Sequence, residues 1–185
     1  MRLPEYLDTR DLLVRKGNQL IPSTTGQWAE RLSVGMTRAL ALALGTKLPN
    51  AALFTTEPVQ RPARQLLVDV TSFEARADQE VILTARWTYT DGAGRNSLLS
   101  QDTVLVEPTG STNDEAVVNA MNRAVEALAS QIAASIKRGV PMAQSGQRVL
   151  SVRYKPTPGV HADDHAASTS ASQNVDIAGA ASPDR

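Results

Sequence analysis

An α+β fold is what this sequence predicts: an antiparallel or mixed β-sheet with two long helices packed on one of its faces. Three observations point there. Two segments repeat apolar residues at helical spacing, one segment alternates apolar and polar residues over a full strand length, and the strand-like runs mostly follow one another directly.

In chain order, Leu12 to Arg15 is a short strand candidate. The first helix is expected from about Gln27 to Leu44. Trp28, Leu32, Met36, Leu40 and Leu44 recur every four residues, with Ala39 and Ala43 beside them, and so form one apolar stripe. Thr24 and Gln27 fit a capping box in front of it, and Gly45 fits a stop. Ala52 to Thr55 is a second short strand candidate, and Gln65 to Ala75, carrying Leu66, Val68, Val70 and Phe73, reads as a longer one. Val81, Leu83, Ala85, Trp87 and Tyr89 then alternate with Ile82, Thr84, Arg86, Thr88 and Thr90, the pattern of a strand with one buried face. Asp91-Gly92-Ala93-Gly94 is a turn tolerant of positive φ, and Ser97 to Glu107 returns as the hairpin partner. The second helix is expected from Asp114 to Arg138. Its stripe is Val117, Met121, Val125, Leu128, Ile132 and Ile136. Thr112 and Glu115 fit a capping box, while Lys137, Arg138, Gly139 and Pro141 form a termination signal. Arg148 to Tyr154 closes the order strand, helix, strand, strand, hairpin, helix, strand.

Residues 1–154 are expected to form one domain. Residues 155–185 are a Pro-, Ala-, Ser- and Asp-rich tail with one Ile, two Val and no Phe, Trp or Tyr. Such a segment buries too little apolar surface to offset about 1–2 kcal/mol of backbone ordering per residue, and disorder is the expectation.

The charge balance, 19 basic against 19 acidic residues, supplies no electrostatic reason to expect nucleic acid or a basic membrane-binding patch. The lack of cysteine excludes disulfides, zinc thiolate sites and thiol catalysis. No apolar run approaches the roughly 18–20 residues of a membrane span. Residues 1–25 carry no apolar segment of signal-peptide type, so the sequence taken literally reads as soluble and cytoplasmic.

A search for chemistry finds little. His161 and His165 stand at helical i, i+4 spacing with Asp163 and Asp164 between them, but in the tail, where nothing would hold coordination geometry; no metal site is expected. No histidine remains in residues 1–154 to act as a general base. Glu74, Asp78 and Glu80 cluster around a turn and read as solvated charge. Gly92-Ala93-Gly94-Arg95-Asn96 lies inside a hairpin, not between a strand and a helix, and lacks the Gly-Lys-Ser/Thr ending of a phosphate loop. Trp28 and Trp87 read as core residues, with a lipid groove as the alternative. Neither enzyme activity nor a cofactor is expected.

Several segments together resemble a family. Leu3-Pro4-Glu5-Tyr6-Leu7-Asp8, then Leu13-Val14-Arg15 and Asn18-Gln19-Leu20, then Gln27-Trp28-Ala29-Glu30-Arg31-Leu32, are similar to the signature of PqiC/YmbA-type proteins, the ABC-type transport auxiliary lipoproteins. That pattern runs through a short hairpin into a helix start, continued here by Arg38-Ala39-Leu40-Ala41-Leu42-Ala43-Leu44, and the resemblance extends to about Ile136. It implies a periplasmic domain tethered to the outer membrane by a lipidated cysteine, and partnership with an MCE-domain protein of a lipid-moving envelope system. No lipobox cysteine stands in this sequence.

The resulting expectation is a non-catalytic accessory subunit of an envelope lipid-transport system, acting by protein–protein interaction. The alternative is a free-standing carrier of a lipid or other apolar ligand. A homo-oligomer and a bound lipid are further candidate partners, and nucleic acid is not expected. Leu3, Pro4, Tyr6 and Leu7 are the candidate contact residues.

Overall fold

The structure, a computed structural model, describes residues 1–55, 62–139 and, as the path of a strand, 148–152. The tail with its two histidines lies outside the described residues. In order come β1 (Asp11–Lys16), β2 (Gln19–Gln27), α1 (Leu32–Lys47), β3 (Ala51–Phe54), β4 (Arg64–Arg76), β5 (Glu80–Asp91), β6 (Ser97–Pro108), α2 (Asp114–Gly139) and β7 (Arg148–Val152). The fold is α+β, with both helices on one face of a mixed seven-stranded sheet.

The strands run β2-β1-β4-β5-β6, with β7 between β3 and β4. β4 to β6 form an antiparallel meander in which Val68 faces Trp87 and Trp87 faces Gln101. The other edge of β4 is shared by three short partners, all parallel to it. β7 pairs at Arg64 to Leu66, Arg2 bridges Asp69, and β1 pairs at Ala75 and Arg76. The N-terminal residues therefore complete a row of the sheet: Arg2 donates its amide to the Val68 carbonyl and accepts from the Val70 amide, both at 2.8 Å.

Alternation along β5 sends Val81, Leu83, Ala85, Trp87 and Tyr89 to the helix side, where all are buried. From α2 come Leu128 and Ile132, and from α1 Leu40 and Leu44, each with no exposed surface. Each such side chain contributes about 1.5–3 kcal/mol by leaving water. The stripe expected on α2 is buried throughout, from Val117 to Ile136.

Two expectations about α1 are corrected. Thr24 and Gln27 do not cap it: they lie in β2, where Gln27 pairs with Asp11, and the helix starts only at Leu32. Trp28 is thus not a helical residue; its amide is held by the Arg10 carbonyl at 2.6 Å. Nor does Gly45 end the helix, which runs on to Lys47. The stop is Leu48, with φ −126° and ψ 65°, because the residue before a proline, here Pro49, is pushed out of the helical region. At α2 the cap is Asn113, not Thr112: the Asn113 Oδ1 accepts the Ala116 amide at 2.8 Å.

Gly92 is required at the hairpin turn, since a Cβ there would fall 1.8 Å from the Pro62 carbonyl oxygen. The Asp91 carboxylate accepts the Arg95 amide at 2.9 Å and the Asn96 side-chain amide at 2.6 Å, and these donors hold its pKa below the usual carboxylate range. The glycine-rich stretch is a hairpin closure.

Candidate functional site

The N-terminal motif is a brace between the first residues and α1. Pro4 carbonyl accepts the amides of Leu7 and Asp8 at 3.0 and 3.1 Å, which curls the segment into a tight turn. The turn buries Leu3 and Leu7 and leaves Tyr6 exposed, with Pro4 half-buried. The Tyr6 hydroxyl reaches the Thr71 carbonyl at 3.4 Å. Asp8 then meets the start of α1. Its carboxylate accepts the Ser33 amide at 3.1 Å, its carbonyl accepts from the Arg31 guanidinium at 3.2 Å, and the Thr9 carbonyl accepts the Leu32 amide at 3.1 Å. Arg31, at the N-cap position, makes no side-chain cap, so Asp8 satisfies an otherwise orphaned helix amide from a distant part of the chain.

Of the four candidate contact residues, then, Leu3 and Leu7 are in the core, Pro4 is half-buried and Tyr6, 45% exposed, is the most open to solvent. Beside the brace, Trp28, Met36, Phe73, Met121 and Val125 line an apolar cleft of about 220 Å³ where α1 approaches α2. Its rim carries Arg31, which lies 3.7 Å from Asp8, and Arg38, which is paired with Glu30.

Among the described residues, no helix covers the sheet face turned away from α1 and α2. A row of alternating charge crosses it. Arg2 pairs with Asp69 at 2.7 Å, Asp69 sits in register with Arg86, and Arg86 makes two bonds to Asp102 at 2.7 and 3.0 Å. The Arg86 bond holds the Asp102 carboxyl below the usual range. On one side of this row Val104 and Val106 are 65% and 49% exposed, on the strand that ends the sheet path, with Ile82 as the cross-strand neighbour of Val106. An edge strand with exposed valines is a surface suited to protein contact.

The acidic cluster read as solvated charge is corrected at one position. Glu74 is only 3% exposed and lies under Arg15, which donates both Nε and, at 2.9 Å, Nη2 to its carboxylate. This ion pair ties β1 to β4. Among the described residues no group of three or more His, Cys, Asp or Glu is placed to hold a metal ion, and no helix is long and apolar enough to cross a membrane. The sequence reading missed both the Asp8 brace and the Glu74 pair. The motif Tyr6-Leu7-Asp8 was the available signal for the first; nothing local signals the second.

The family model described as ABC-type transport auxiliary lipoprotein component matches residues 1–133. No curated protein matches by sequence. Among solved structures, an uncharacterised protein superposes with a TM-score of 0.66 at 20% identity, over 73% of this chain and 86% of that one. A protein from Xanthomonas campestris superposes with a TM-score of 0.61 at 15% identity, over 71% of this chain and 77% of that one. At such identities the two likenesses concern the fold.

Proposed function

The chain belongs to the ABC-type transport auxiliary lipoprotein family, and on that premise we propose that it is a non-catalytic accessory subunit of a bacterial envelope lipid-transport system, binding an MCE-domain protein in the periplasm at the outer membrane. Family membership establishes the coarser part, an auxiliary component of ABC-type transport. The observation that carries the proposal is the extent of that match, residues 1–133, which takes in the brace, the meander and most of α2.

Two features support a role through protein contact. The open sheet face offers an edge strand with Val104 and Val106 exposed, and Tyr6 projects from the motif turn. Leu40, Leu44, Leu66, Leu83 and Leu128 pack between helices and sheet with no exposed surface, and the apolar cleft between α1 and α2, at about 220 Å³, falls below the roughly 300–1,000 Å³ of small-molecule sites, which favours an accessory subunit over a carrier holding its ligand there.

The test is co-purification of the full chain with its candidate MCE-domain partner in a membrane mimetic, repeated with Tyr6→Ala and with Val104→Lys. A complex weakened by either variant, with an unchanged melting temperature, supports the reading and locates the contact. No complex under any membrane-mimetic condition rejects it.

A further inference from the structure

A second cleft, of about 580 Å³, opens at the end of the sheet where the β1–β2 turn, the β4–β5 turn and the β6–α2 connection come together. Its volume falls within the range of roughly 300–1,000 Å³ typical of small-molecule sites. The lining has two characters. Val14, Ile21, Ala75 and Val117 supply an apolar floor. Around it stand Lys16, Arg76, Thr24 and Thr112. Neither cation makes an ion pair, and neither threonine side chain a hydrogen bond, with another described residue. Among the described residues one carboxylate lines the cleft, that of Asp114. It accepts the hydroxyls of Ser23 and Thr25 at 2.7 and 2.6 Å and pairs with neither cation.

The wall beside the cleft is built closely. Ser23 and Thr25 clamp β2 onto the first residue of α2, and a Cβ at Gly26 would lie 2.6 Å from the Asp114 carboxylate oxygen. Lys16, Arg76, Thr24 and Thr112 are all solvent-exposed, and together they present more donors than the described lining presents charged acceptors. A phosphate offers enough oxygens to engage all four, more than a carboxylate does, and the apolar floor suits an attached hydrocarbon portion. We propose that this cleft binds a phosphate-bearing ligand, with Lys16 and Arg76 taking the phosphate and the floor formed by Val14, Ile21 and Val117 taking the apolar part. The proposal goes beyond the accessory-subunit reading and does not rest on it; a failed partner co-purification leaves it standing.

The experiment titrates the full chain with dihexanoylphosphatidylglycerol below its micelle concentration, with inorganic phosphate, and with octyl glucoside, following the backbone amides of Thr112 and Asn113 by NMR. Saturable shifts with the lipid are expected. Lys16→Ala/Arg76→Ala should weaken its affinity by about tenfold or more, the scale of one charge-assisted hydrogen bond, without moving the melting temperature. Lipid binding tighter than phosphate binding identifies a headgroup with its chains as the ligand; equal affinities identify free phosphate. Both outcomes uphold the phosphate site. Absence of shifts with both phosphate probes, equally strong binding of octyl glucoside, or undiminished binding by the double variant overturns it. Should the double variant fail to fold, Lys16→Glu alone provides the same comparison.

Discussion

The Asp8 carboxylate accepts the backbone amide of Ser33 at 3.1 Å, so the first helix is capped by a residue that precedes the whole first hairpin in the chain. The bond locks the N-terminal turn, the β1–β2 hairpin and α1 into one unit. Asp8→Ala is expected to lower stability by about 0.5–2 kcal/mol, the cost of losing an N-cap. Urea denaturation gives the value. A variant as stable as the parent would mean that the Ser33 amide finds another acceptor.

Leu128 stands at the middle of the α2 stripe with no exposed surface. Leu128→Ala leaves a cavity between helix and sheet, and a loss of about 2–5 kcal/mol is expected in the same measurement. An effect below about 0.5 kcal/mol is the mark of a surface site and would contradict the packing described.

Asp114 carries a pH signature. Hydrogen bonds from Thr25 and Ser23 hold its carboxyl below the ordinary value of 3.8. A carboxyl whose folded pKa is depressed contributes stability that is fully present above its unfolded pKa and is lost as pH falls through the folded one. Asp114→Asn should therefore be less stable than the parent at pH 7. The gap should close as pH drops below about 4, and thermal melts from pH 7 to pH 2 would follow it. A gap independent of pH would assign the loss to altered hydrogen-bond geometry instead of charge.

Glu74 lies buried beneath Arg15, and removing the cation alone strands a carboxylate at the junction of β1 and β4. Arg15→Met is expected to be less stable than the double variant Arg15→Met/Glu74→Leu, since a buried charge without its partner costs more than an apolar pair in its place. A double-mutant cycle by chemical denaturation measures the coupling. The order reversed would show that Glu74 is solvated without Arg15.

The most legible elements were those whose signal is local. The alternation from Val81 to Tyr89 and the stripe from Val117 to Ile136 each determine which residues face the core, and the structure buries both sets. β2 was not legible from its residues, because no position in Gln19–Gln27 is fully buried and so no alternation is imposed on it. That invisibility caused the misplaced start of α1. Trp28 continues the four-residue spacing of Leu32 and Met36, yet it belongs to the link between a strand and a helix.

By itself, then, the sequence determined the fold class, the core faces of the hairpin and of α2, and the family, since each is written in residue types at short spacing. Only the tertiary structure decided that Asp8 caps α1, that Arg15 covers Glu74, that three separate segments share one edge of β4, and that Lys16 and Arg76 meet at one cleft. Each of these joins residues or segments far apart in the chain. A contact of that kind has no period and no local propensity; it follows from how the packed layers bring chain ends and turns together.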